Sequence, residues 1–298
     1  MTDLIEQIIS PRTKDLGDGF KVRRILPFHN RKMVGPFIFF DHFGPVEYAP
    51  GKGFDVRPHP QIGLATVTIL FSGAIAHKDT IGSDLVIRPG AVNWMTAGRG
   101  ICHSERTPPE ERATGQSLHG IQTWVALPKA YAEIAPDFVH HPADTLPEFD
   151  LGGANARVLA GSAFGYDAPV DYPHTIWYVG AEAPAGADFT IGTDEAEERA
   201  LYIAEGTATI DGQPVSEGEL AIFKSGLDIP IQIGPNSRFM LAGGAPMDGP
   251  RLIDWNFVGT DKARIEQAKS DWRLSAERGW VDTPFQLPEG ETDYIALP

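Results

Sequence analysis

The chain is predicted to be all-β, built as two β-barrels with one short C-terminal helix. With 32 glycines and 25 prolines among 298 residues, its apolar segments are cut into short pieces, as in sandwiches and barrels rather than βαβ units. Units of strand, glycine-containing turn and strand recur in both halves. A single segment near the C-terminus spaces its apolar residues at helical intervals.

In order along the chain, strands are expected at 20–26, 36–42, 64–72, 74–79, 84–88, 91–96, 100–105 and 120–126, each bounded by Gly, Pro, Asn or Asp. Residues 127–153, LPKAYAEIAPDFVHHPADTLPEFDLGG, are proline-rich and show no sustained period. They read as a linker that wraps between domains, which places the division at 1–134 and 135–298. In the second half, TIWYVGAEAPAGADFTI, RALYIAEGTATIDGQPVSEGELAIFKSG and IPIQIGPNSRFMLAGG repeat the strand and turn grammar, pointing to an internal duplication of the fold. In GTDKARIEQAKSDWR, Ala263, Ile265, Ala268 and Trp272 form an apolar stripe that Thr260 or Asp261 can cap, giving a helix over 261–272.

Composition narrows the function. A hydrophobic content of 42% supports a sizeable core, and the balance of 25 basic against 40 acidic residues, net −15, argues against direct binding to nucleic acid or an anionic membrane. Cys102 is the sole cysteine, so no intrachain disulfide forms. The N-terminal MTDLIEQIIS lacks the basic and apolar regions of a signal peptide, and no apolar run approaches the ~18–20 residues of a membrane span. A cytoplasmic protein is expected.

The chemistry concentrates in two stretches. Within RPHPQIGLATVTILFSG (57–73), read as one strand, His59 and Gln61 share a face that Gly63, Ala65 and Val67 continue, leaving a small-sided interior with room for a ligand. Within MTAGRGICHSERT, His103 and Glu105 share a face while Cys102 and Ser104 point the other way. Brought together on adjacent strands, the two pairs gather two imidazoles, a carboxylate and an amide around one point. His29, His42, His119, His140, His141 and His174 read as surface or satisfied core residues, and His77, outside both pairs, as structural. Cys102 is expected to be a buried, inert thiol. Arg99, in AGRG, either steadies an anionic substrate or pairs with a surface carboxylate. Phe37, Phe39, Phe40 and Phe43 read as core, with Phe43 also a candidate for an apolar pocket rim.

Gly53, five residues, His59, one residue, Gln61 and a closing Gly73 follow the first motif of the cupin family with its second histidine replaced. PGAVNWMTAGRGICHSE resembles the second cupin motif in the form used by pirins. Together with DLGDGFKVRRILP, GPFIFFDHFGP, GLATV and LIDWNFVGTDKARIEQAKSDW, these motifs make the chain resemble the pirin family over nearly its whole length. The resemblance implies a bicupin with non-haem iron in the N-terminal barrel and none in the C-terminal one. Some pirins act as quercetin 2,3-dioxygenases, and others are described as transcriptional cofactors or metabolic regulators.

Carried over by residue, the family's metal ligands fall on His59, Gln61, His103 and Glu105, and a position that is often Glu in the family is Ala65. An amide oxygen is a weaker donor than imidazole, so a divalent transition metal, Fe(II) foremost, is expected at fractional occupancy. His59, His103 and Glu105 still make the two-histidine, one-carboxylate set of non-haem iron oxygenases. Gln61 either ligates through its oxygen, hydrogen-bonds a metal-bound water or fills space. Two functions follow: a quercetin 2,3-dioxygenase-type enzyme acting on flavonol-like aromatics with Glu105 as ligand or base, or a metal- or redox-responsive regulator that presents its surface to a protein partner. The second barrel has neither a His-x-His nor a His-x-Glu pair and is expected to be metal-free and structural.

Overall fold

The computed structural model describes residues 3–15 and 20–298. Residues 16–19 of the DLGDGFKVRRILP motif lie outside the described residues. Both halves are built from β-sheets, with the expected helix near the C-terminus.

The chain divides into two compact units that are interleaved in sequence. The first barrel takes in 43–140 and 248–298, and the second takes in 21–42 and 141–247. The sequence reading places one boundary, between 134 and 135. The interleaving has a packing cause: Ile265, Ala268 and Trp272 of the C-terminal helix are buried against Ile62, Cys102, Phe257 and Phe285, so the C-terminus completes the first barrel's core.

In the first barrel, a four-stranded sheet runs in the order Asp55–Gln61, Ile101–Arg106, Ile75–Asp79, Asp84–Ile87. A second sheet brings together Asp137–His141, Val92–Thr96, Leu64–Ser72, Gln116–Ala126 and the 43–48 end of the long strand Phe37–Tyr48. The second barrel pairs a large sheet, which includes Glu198–Glu205, Ser237–Gly244 and Ile176–Ala183, with a four-stranded one formed by Ala187–Ile191, Ile229–Ile233, Thr207–Ile210 and Gln213–Ser216. Its interior is apolar, filled by Trp177, Leu201, Phe239 and Leu241.

Three expectations about elements change. The stretch 57–73 is two strands, not one: Asp55–Gln61 and Leu64–Ser72 belong to different sheets, so Ala65 and Val67 do not continue the His59 and Gln61 face. The corner is made at Gly63, whose φ of +71° suits glycine and where a Cβ would lie 2.1 Å from the Val258 carbonyl oxygen. The linker at 127–153 contains the strands Asp137–His141 and Glu148–Leu151. Both lie at the ends of their sheets, where half of each strand stays wet and no strong apolar period is needed. The helix runs Lys262–Glu277, longer than 261–272, and Asp261 caps it by accepting from the Ala263 N–H at 2.9 Å. Its last turn is held by Ser275, fully buried, whose hydroxyl accepts from the Phe285 N–H at 3.1 Å.

Candidate metal centre

The site grows from strand alternation plus register. Asp55–Gln61 and Ile101–Arg106 pair antiparallel with His103 directly opposite His59 and Ile101 opposite Gln61. Residues opposite one another share a face, and the two imidazole centroids lie 4.3 Å apart. An irregularity between His103 and Glu105 shifts Glu105 opposite Val56. On its other edge the Ile101–Arg106 strand pairs with Ile75–Asp79, setting Glu105 opposite His77 and His103 opposite Asp79. The His77 and His103 centroids are 5.4 Å apart.

His59 and Gln61, and His103 and Glu105, expected on adjacent strands, lie on neighbouring strands of one sheet, and His77, expected to be structural, lies on the next strand with its centroid 5.4 Å from that of His103. His77 and Asp79 in IAHKD are themselves two apart and share a face. Their side chains meet, His77 Nε2 to Asp79 Oδ2 at 2.9 Å.

All five site residues are buried, and His103 is 1% exposed. Neither ring nitrogen of His103 has a hydrogen-bond partner, and neither does Gln61 Oε1. Leaving a buried polar atom unpaired costs about 1–3 kcal/mol, so these atoms mark a place where a further partner belongs. His59 Nδ1 donates to the Arg57 carbonyl at 2.9 Å, which leaves Nε2 with its lone pair. From the facing sheet, Gln122 Nε2 donates to Glu105 Oε1 at 2.8 Å and to Thr68 Oγ1 at 3.2 Å, leaving Glu105 Oε2 for another partner.

Burial sets the protonation states. It pushes the His59 imidazole down to about 4, against the opposing pull of the Arg57 carbonyl, and holds His103 well below the ordinary histidine range. Both are kept neutral, the form that ligates metal. Burial pushes the Glu105 carboxyl up, while His77 and Gln122 act against the rise. Among the described residues, no three His, Cys, Asp or Glu side chains converge as a finished ligand set. The donor types nonetheless suit a divalent transition metal: neutral imidazoles, an orphaned amide oxygen and one carboxylate lie on neighbouring strands of one sheet.

The other singled-out residues sort as follows. Cys102 is fully buried behind the ligand face, and burial raises its thiol pKa, so it is inert as expected. Arg99 is exposed. Phe37, Phe39, Phe40 and Phe43 are all buried. His42 accepts from Arg23 Nη2 at 3.1 Å through Nε2, so its Nδ1 donates to the Tyr202 hydroxyl at 2.6 Å. His140 pairs with Asn93 at 2.7 Å, His174 with the Ala245 carbonyl at 3.1 Å, and His29 is exposed.

Two barrels of this form, one of them carrying a buried cluster of imidazole, carboxylate and amide groups, define a bicupin. The family described as Pirin matches residues 19–125, and the Pirin C-terminal cupin domain matches 178–276. The chain belongs to the pirin family. A pirin-like protein of Caulobacter vibrioides is 48% identical over 99% of this chain and 100% of its own length. The crystal structure of a quercetin 2,3-dioxygenase from Acinetobacter baumannii superposes with a TM-score of 0.88 at 31% identity, covering 98% of this chain and 94% of that one. A bacterial pirin from Escherichia coli, solved in complex with nickel(II), shares the fold at 19% identity and a TM-score of 0.62, over 81% of this chain and 99% of that one.

Proposed function

We propose that the first barrel binds a divalent transition metal, Fe(II) foremost, and that the chain is a quercetin 2,3-dioxygenase-type oxidoreductase acting on flavonol-like aromatics. The observation that carries this reading is His103, buried with both ring nitrogens unpartnered, facing His59 and flanked by Glu105. The full-length likeness to a quercetin 2,3-dioxygenase supports the reaction class.

When bound, the metal supplies a Lewis-acid and redox centre for a flavonol hydroxyl and O₂. His59, oriented by the Arg57 carbonyl, and His103 offer neutral nitrogens to hold it. Glu105, its Oε1 fixed by Gln122 and its basicity raised by burial, is the group that takes the flavonol 3-hydroxyl proton at Oε2. The buried walls exclude bulk water from the sheet face that bears these groups.

Anaerobic loading of the metal-free protein with Fe(II), followed by oxygen-electrode assays with a panel of flavonols, tests the reading. Flavonol-dependent oxygen uptake that is lost in Glu105→Gln is expected. Metal-loaded protein that consumes no oxygen with any flavonol would overturn the enzyme assignment. A second reading, favoured by Gln61 standing where the family ligand set has histidine, is a metal- or redox-responsive regulator with a protein partner. Metal binding without turnover selects it.

A further inference from the structure

Gln61 pairs in register with Ile101, one side-chain repeat along the sheet from the His59 and His103 pair, and its neutral amide is a weaker donor than imidazole. A stronger donor lies on the opposite side of His103. The Ile101–Arg106 strand lies between Asp55–Gln61 and Ile75–Asp79, so His103 has His59 directly opposite on one side and, on the other, Asp79 opposite with His77 one side-chain repeat along; the centroid separations from His103 are 4.3 Å to His59 and 5.4 Å to His77. Glu105 sits opposite His77.

We propose that His77, through Nδ1, is the third imidazole ligand of the first barrel's metal centre, taking the part that residue 61 plays in the family motif. This rests on the metal-binding reading above. His77 is prepared for that role. Its Nε2–H is donated to Asp79 Oδ2 at 2.9 Å, the carboxylate–histidine arrangement that fixes the tautomer and leaves Nδ1 its lone pair. Asp79 is itself held, its Oδ1 accepting from the Ile81 and Ser83 N–H groups, each at 3.0 Å. The ring stacks on Phe138 with centroids 4.4 Å apart and planes 23° apart, which limits its tilt. His77 is 4% exposed as a residue. The resulting set is three imidazoles and the Glu105 carboxylate, with Gln61 left to hydrogen-bond a ligand of the ion.

Co(II) titration of the metal-free full-length protein tests this, because imidazole N–H protons on a Co(II) centre give separate, paramagnetically shifted, exchangeable proton resonances. Three such resonances are expected in the protein and two in His77→Gln. Co(II) affinity should fall about 10-fold or more in His77→Gln and about 10-fold in Asp79→Asn, which keeps the turn acceptor but loses the carboxylate. Gln61→His introduced into His77→Gln should restore the affinity. Two resonances in both proteins with equal affinity would overturn the inference while leaving the metal-binding reading intact, whereas absence of Co(II) binding overturns both. Should His77→Gln fail to fold without metal, Asp79→Asn decides: unchanged affinity there rejects the role for His77.

Discussion

His103 is where the chemistry of this protein is most exposed to test. With His59 it is held neutral by burial, and that has a sign for stability. Between the ordinary histidine value of 6.5 and about 4, the unfolded chain binds a proton at position 59 that the folded chain refuses, so stability falls as pH falls through that window. His103 acts in the same direction, and Glu105, whose carboxyl is raised, opposes them as pH drops toward its ordinary value of 4.5. The metal-free protein is therefore expected to lose stability on going from pH 7 to 5, by up to about 1.4 kcal/mol per pH unit for each histidine. Denaturant melts at the two pH values check this, and His103→Asn should flatten the difference. At position 61, Gln61→His leaves the backbone in the same direction and, introduced into His77→Gln, should raise Co(II) or Fe(II) affinity in calorimetric titration. Glu105→Gln in that background should cancel the gain by removing the cluster's carboxylate. An unchanged affinity in Gln61→His would mean that the added imidazole does not reach the ion.

The elements that hold the site are the corner at Gly63 and the C-terminal helix. Any side chain at Gly63 meets both a left-handed backbone and the Val258 carbonyl oxygen 2.1 Å from its Cβ. Gly63→Ala is expected to cost about 2–4 kcal/mol and to lower metal affinity, since the Asp55–Gln61 strand must shift to relieve the clash. Thermal unfolding with and without Co(II) measures both effects. Trp272, 1% exposed, packs among Trp280, Phe285 and Tyr294 and donates its indole N–H to the Ile295 carbonyl at 3.0 Å. Trp272→Ala should cost about 3–5 kcal/mol. It should also open the far side of the ligand strand, so that Cys102, unreactive toward a thiol reagent in the native protein, becomes modifiable. Continued protection of Cys102 in that variant would show that the helix is not its cover. The C-terminal tail adds a polar clasp on the same strand: Ser104 and Arg106, which flank Glu105, both donate to Glu291, at 2.6 and 2.9 Å.

For the whole molecule, charge is the governing quantity. A net charge of −15 repels a phosphate backbone, and no bound counterions would be released to drive association. No shift of duplex DNA is expected at micromolar protein and physiological salt; a salt-dependent shift in a gel would contradict this. No helix among the described residues is long and apolar enough to cross a membrane. The second barrel carries a cluster of Trp177, Leu201 and Phe239 at its centre.

Alternation along a strand is a local property, so the pairing of His59 with Gln61 and of His103 with Glu105 on common faces was legible from spacing alone. So were the turn of Cys102 away from His103 and Glu105, a cap at Thr260 or Asp261, of which the structure selects Asp261, and the apolar stripe at Ile265, Ala268 and Trp272. Register between strands is not local. That His103 stands between His59 and Asp79 with His77 opposite Glu105, that Glu105 is offset by an irregular ladder, and that the chain turns a corner at Gly63 all depend on which distant strands become neighbours. The sequence carries Gly63 and the IAHKD pair in plain view, but only close approach of the Val258 backbone and of the Ile101–Arg106 strand gives them meaning. The same holds for 248–298, whose place in the first barrel is decided by which core leaves room for Trp272, a question of packing volume that no run of neighbouring residues encodes.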